Sequence, residues 1–240
     1  MDNENIVDWV SKHLELSNSD INGLASLDSL CYKPPIILRS LSNQHKRFCQ
    51  ILLIDKHFIC ITSNNISSLH FDVHDSYNNP LIMESPSLVS IMSAFTRSIS
   101  GGKLTFNMFK SSQQPDCYNC GCYAIANAVT FCSGKSPSNI FLDSSSLRTH
   151  LNDCLNENKL TSFPTVEGER RQQRISSAVT REKVYCICRQ GFGKKEMIEC
   201  ERCFEWFHLD CINITDKVIE QTGKWFCNDC LKRCQRKTSD

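Results

Sequence analysis

The sequence has almost no net charge. Its 27 lysines and arginines stand against 26 aspartates and glutamates, leaving +1, so no overall field draws the chain to nucleic acid. It also lacks an apolar run of the roughly 20 residues that a membrane-spanning helix needs. The opening MDNENIVDWV is acidic and polar, unlike the start of a secretory signal, so neither a membrane nor export is expected. No internal repeat is visible. One further scarcity is local: residues 185–230 hold too few apolar side chains to build a core by burial alone.

Cysteine fills that gap. Of 16 cysteines, the stretch contributes Cys186, Cys188, Cys200, Cys203, Cys211, Cys227 and Cys230, with His208 between the fourth and fifth. The spacings C-x-C, C-x-x-C, H-x-x-C and C-x-x-C let neighbouring ligands reach one ion without backbone strain, and thiolates with a neutral imidazole suit tetrahedral zinc. Eight ligands make two sites, and metal binding would then supply much of the folding free energy. A disulfide framework would require a secreted chain.

This C4-H-C3 order resembles the PHD finger family; a RING finger, and with it a ubiquitin ligase, would have its histidine fourth, where this chain has Cys203. Trp225 two residues before Cys227, and the WFH of Trp206 to His208, match the PHD pattern as well. The resemblance implies an interleaved cross-brace, with Cys186, Cys188, His208 and Cys211 on one zinc and Cys200, Cys203, Cys227 and Cys230 on the other. It further implies a cage for a methylated lysine formed by Tyr185, Phe192, Met197 and Trp206, because a quaternary ammonium is held by cation–π and apolar contact. The partner so implied is the histone H3 tail, methylated lysine 4 favoured, with Glu201 placed to meet the tail's arginine. Trp206 and Tyr185 packing a small core is the plainer reading of those two residues. Trp225 is read as core.

Ahead of the finger, roughly 160 residues are enough for a hydrophobic core. Residues 6–16 place Ile6, Trp9, Val10 and Leu14 at helical spacing, and 17–22 reads as a loop. Short β-rich runs follow at 49–55, 57–64 and 68–75; Asn64-Asn65 marks a turn between the last two, giving an antiparallel hairpin. Residues 86–98 read as a helix, 104–109 as a strand, and 120–132 as a helix apolar almost all round, hence buried. Residues 144–158 form a further helix with serine available as N-cap. Residues 165–183 are polar and charged, a flexible linker, and 232–240 is a short basic tail, solvated or a nuclear-targeting signal.

Cys120 opens the buried helix, where the helix dipole and free N–H groups favour a thiolate. His57 opens one strand and Asp75 lies near the end of the next, so the two can face each other. Gln114 precedes Cys120 in a loop able to aim its amide at an oxyanion. This order resembles the ubiquitin-like-protein-specific cysteine proteases, the SUMO-protease clan, in His57-Phe58, His74-Asp75-Ser76 and Gln114 with Cys120-Gly121. Phe58 stands where that family carries tryptophan, and Asn119 where it carries aspartate.

Together these imply an α+β chain. A papain-like domain at 1–164, with a mixed sheet and a buried central helix, precedes the linker and a PHD-type finger at 184–231. The function implied is a nuclear chromatin reader fused to a cysteine protease-like domain cleaving SUMO-like or ubiquitin-like conjugates. A histone-tail reader on a catalytically dead protease-like scaffold stays open beside it.

Overall fold

A computed structural model describes residues 3–27, 47–96, 99, 102–109, 112–168, 174–181, 185–188, 196–214, 224–228, 230 and 231. They fall into two compact units, one ending at Arg181 and one containing the finger.

The first unit is built on a six-stranded mixed sheet: β1 (Ile21–Gly23), β2 (Arg47–Ile54), β3 (His57–Ser63), β4 (His70–His74), β5 (Lys103–Phe109) and β8 (Arg174–Thr180), adjacent in that order; β6 (Phe141–Leu142) and β7 (Thr165–Val166), the latter at the start of the expected linker, pair apart from it. β1 with β2 and β4 with β5 are parallel; the other pairs are antiparallel. Both faces of β2 and β3 are covered. Cys49, Ile51, Phe58 and Cys60 join one core, while Phe48, Leu52, Ile54, Ile59 and Ile61 join the other. That two-sided burial is why these strands read as continuous apolar runs.

On the first face lie α1 (Asn3–Ser17), α3 (Cys120–Cys132) and α4 (Leu147–Asn156); on the second lies α2 (Pro86–Phe95). α1 buries Val7, Val10 and Leu14 one turn apart, with Ile6 and Trp9 half-covered. α3 is buried at 11 of its 13 positions, as its lack of a polar face requires.

Two expectations are corrected. The loop at 17–22 runs into β1, which pairs with Arg47–Cys49. Gly23 there has φ +91°, and a Cβ would lie 2.2 Å from the Cys49 carbonyl oxygen, so only glycine fits. Three residues are too few to carry a periodic signal; the partner strand makes β1 a strand. Likewise 174–180, read within a flexible linker, forms β8 along the whole length of β5. Its Ile175 and Val179 pack on the second core, and its other face is exposed. Alternation at an edge, with serine in place of larger residues, hid it. The basic tail and residues 169–173 and 182–184 lie outside the described residues.

The finger contains a two-stranded sheet of β9 (Met197–Glu199) and β10 (Trp206–His208), followed by a single helical turn, Leu209–Ile212. Its buried core is Cys186, Cys200, Phe207, Cys227 and Cys230.

Candidate functional sites: a Cys–His–Asp cleft and a cysteine–histidine finger

β3 begins at His57 and β4 ends at His74, so the antiparallel pairing sets Asp75 beside the His57 ring. His57 Nε2 lies 2.6 Å from Asp75 Oδ1. Asp75 is 1% exposed and accepts N–H bonds from Tyr77 to Oδ1 (2.9 Å) and Asn79 to Oδ2 (2.8 Å). These bonds fix the carboxylate, and the Tyr77 ring stacks on the imidazole with centroids 4.5 Å apart and planes 20° apart. With Nε2 engaged by Asp75, Nδ1 is the nitrogen left for a thiol.

That thiol is Cys120, at the start of α3. Burial works against its ionisation, yet hydrogen bonds from His57 and from the backbone at Phe58 and Gly121 lower its pKa below the ordinary thiol value. Burial likewise opposes charge on His57, but the bonds to Asp75 and Cys120 win and raise it to about 9. Each group stabilises the ionised form of the other.

Gln114 is buried, and Ser76 Oγ donates to its Oε1. Its Nε2 donates to the Asp116 carbonyl at 2.6 Å, leaving a second amide hydrogen. Phe58 lies against Gly121, 3.5 Å from where a Cβ would stand. A cavity of about 410 Å³ opens on the His57–Asp75 side, bordered by Tyr77, Leu81, Asp55 and Glu84.

Three residues absent from the sequence reading complete the site. Tyr77 supplies the ring over His57. Asp116 Oδ1 accepts the N–H groups of Tyr118 (3.0 Å) and Asn119 (2.9 Å), and Arg148 reaches Asn119 from α4. Asp116 four residues before Cys120 is a turn signal legible in sequence. Arg148 gave no local sign.

In the finger, the donor atoms of Cys186, Cys188, His208 and Cys211 lie within 4.8 Å of one another, as do those of Cys200, Cys203, Cys227 and Cys230. Cys188 Sγ is 3.2 Å and Cys211 Sγ 3.9 Å from His208 Nδ1, and Cys203 and Cys227 sulfurs are 3.9 Å apart. Thiolates about 2.3 Å from a tetrahedral zinc stand about 3.8 Å apart, so these donor sets fit that ion. The Cys227 N–H points at Cys200 Sγ (3.3 Å), a bond that suits a thiolate.

The cage candidates are placed unevenly. β9–β10 register sets Met197 opposite His208 and Trp206 opposite Glu199, so Met197 and Trp206 lie diagonally on one face. Both are half-buried. Tyr185 packs beside the core, and the Cys186 N–H donates to the Trp206 carbonyl at 2.7 Å. Trp225 meets Phe207 edge-on at 5.2 Å, in the core. Glu201 is exposed. Phe192 lies outside the described residues.

Residues 186–230 match the PHD-finger family model. Among curated proteins, the chain is 39% identical over 53 residues to Nucleosome-remodeling factor subunit NURF301 of Drosophila melanogaster, covering 22% of this chain and 2% of that one. It is 42% identical over 60 residues to Inhibitor of growth protein 5 of Homo sapiens, 23% of each. A third relative, Set1 complex component spp1 of Schizosaccharomyces pombe, is 29% identical over 103 residues, 38% of this chain and 24% of that one. The chain thus spans about a quarter or less of these relatives' lengths. Among solved structures, the SUMO protease Ulp1 with its catalytic cysteine oxidised to a sulfonic acid shares 13% identity over 65% of this chain and 77% of that one, at TM-score 0.48. The Ulp1 protease domain in complex with Smt3, the yeast ortholog of SUMO, gives 14%, 56%, 66% and 0.42.

Proposed function

We propose that this protein is a zinc-dependent reader of methylated histone H3 tails joined to a cysteine protease acting on SUMO-like or ubiquitin-like conjugates, working in the nucleus. The observation that carries the enzymatic half is the Cys120–His57–Asp75 arrangement, with Asp75 locked by two backbone N–H groups. The reader half rests on the PHD-finger match and on the Met197–Trp206 face. Relatives named for nucleosome remodelling and chromatin modification support a chromatin setting.

In the reaction, the Cys120 thiolate attacks the carbonyl carbon of the scissile amide, and the electrons pass to its oxygen. The second Gln114 amide hydrogen and the first N–H groups of α3 receive that oxyanion. Collapse expels the amine, which takes the imidazolium proton from His57, leaving a thioester. His57 then deprotonates a water that hydrolyses it. Asp75 holds the ring and its charge throughout. In the finger, Cys186, Cys188, His208 and Cys211 would hold one zinc and Cys200, Cys203, Cys227 and Cys230 a second, an ion whose role there is structural. A trimethylated lysine would enter between Trp206 and Met197, with Tyr185 and Phe192 closing the cage and Glu201 meeting an arginine of the tail.

The test is labelling by a ubiquitin-like protein carrying a C-terminal electrophile. Cys120 should react near neutral pH, faster than any other cysteine outside the finger. His57→Ala should slow it by 10²–10⁴-fold, roughly the worth of a general base, and Gln114→Ala should lower turnover more than labelling. Labelling indifferent to His57, with H3 peptides still bound, would leave a histone reader on a catalytically dead scaffold.

A further inference from the structure

Asparagine is among the residues that most favour the N-cap of a helix, where its side-chain oxygen accepts an N–H of the first turn. Asn119 occupies that position on α3, directly before Cys120, and its side chain makes no such bond. Its Oδ1 is instead taken by Arg148, from Nε at 3.0 Å and Nη2 at 2.7 Å. Nη2 also reaches the Tyr118 carbonyl at 3.3 Å, and the guanidinium carbon sits 5.6 Å from the Tyr118 ring centre. The Asn119 Nδ2 is drawn the other way, to Asp116 Oδ2 at 2.7 Å. Both ends of the amide are therefore committed away from the helix.

The consequence falls on the groups the proposed chemistry uses. A capping Asn119 would consume an N–H in the first turn of α3, where the thiolate and the oxyanion both need donors. The same Asp116 that holds Asn119 receives the Gln114 Nε2 on its backbone carbonyl, so the turn that keeps the cap away also aims the oxyanion amide. We propose that Arg148 is a positioning residue for Cys120: it withdraws Asn119 from the cap and so keeps the first turn of the nucleophile helix open. This rests on the protease reading. Guanidinium geometry matters here, because one planar fork grips one oxygen with two N–H groups while a third contact reaches the neighbouring carbonyl. A lysine would bring the charge without the fork.

The experiment compares the full chain with Arg148→Ala, Arg148→Lys and the double variant Arg148→Ala/Asn119→Ala. It reads Cys120 alkylation by iodoacetamide at pH 7, turnover of a ubiquitin-like fusion, and thermal melting. Exposed Cys117 in the same turn is the internal control. Arg148→Ala should lower kcat on the order of a hundredfold, the scale of one lost oxyanion donor, with KM little changed. Its melting temperature should hold or rise, since Asn119 is then free to cap the helix. Adding Asn119→Ala removes the side chain that would cap the turn, and should recover most of the lost rate. Arg148→Lys should behave nearer to alanine than to wild type. Wild-type rates in Arg148→Ala would overturn the inference. So would a lower melting temperature with losses that Asn119→Ala fails to relieve, or full rescue by lysine, which would assign the effect to charge. If wild-type Cys120 reacts no faster than Cys117, the protease reading itself fails and this inference with it.

Discussion

The two units of this protein are held together by different physics. In the first, both faces of the central strands are covered by ordinary hydrophobes: Val10, Ile51 and Phe131 on one side, Phe48, Phe71 and Phe106 on the other. Among the described residues of the finger, four of the five in the buried cluster are cysteines of the two donor sets; Phe207 is the fifth, with Leu209 buried nearby and Tyr185, Ile198 and Trp225 only partly covered. Burial of each such side chain is worth about 1.5–3 kcal/mol at most, and a handful of them falls far below the ordering cost of a chain segment this long. One unit folds because water is excluded, and the other because donors converge.

The sharpest way to break that contrast is to remove the metal. Chelation, or Cys203→Ser, should abolish the finger's dispersed amide spectrum while the first unit's melting transition stays in place. Elemental analysis should find two zinc ions per chain before treatment. A count of one would remove the interleaved pairing. The reciprocal change, Phe106→Ala in the first unit, should cost about 3–5 kcal/mol by cavity formation and leave the zinc content unaltered.

A smaller effect separates the units by pH. His74 is buried beside β3 with Thr62 Oγ1 at 2.9 Å, and burial lowers its pKa to about 4. Folded, it resists the proton that the unfolded chain takes up below pH 6.5. Its contribution is therefore complete above pH 6.5 and is lost as pH falls toward 4, by up to about 3 kcal/mol. Urea melts of the first unit at pH 7 and pH 4.5 should show that loss, and His74→Gln should flatten it. An equal loss in the variant would assign the slope to other groups.

The mildest change sharpens the finger's own role. Trp206→Ala should erase any preference of the protein for H3 peptides trimethylated at lysine 4 over unmodified ones, costing about 2 kcal/mol if the cage is desolvated. Zinc content and the finger's spectrum should not move, because Trp206 lies half-exposed while Trp225 packs on Phe207. Equal affinity of the wild type for both peptides would leave a PHD finger without a methyl-lysine cage.

How legible each part was depended on whether its information is local. Ligand pairs one to three residues apart, such as Cys200 with Cys203 and His208 with Cys211, announce a metal site because chain geometry alone brings them together. The apolar run of α3 announces a buried helix for the same reason. His57 and Asp75 were legible one step further out, since antiparallel neighbours joined by a short turn meet predictably. β1 and β8 were not legible. A three-residue strand and a serine-rich edge have no pattern of their own, and they exist because β2 and β5 offer unpaired backbone.

The sequence alone determined the donor set of the finger, the buried helix and the residues eligible to be nucleophile, base and orienter, each being a matter of residue type and near spacing. Only the tertiary structure decided that the Tyr77 ring lies over the His57 imidazole, 20 residues back in the chain. It also decided that Arg148, 29 residues past the cap, bonds the Asn119 side chain at the head of α3. Those are contacts between elements distant in the chain, and their partners are chosen by how the helices pack on the sheet rather than by any local preference of the residues themselves.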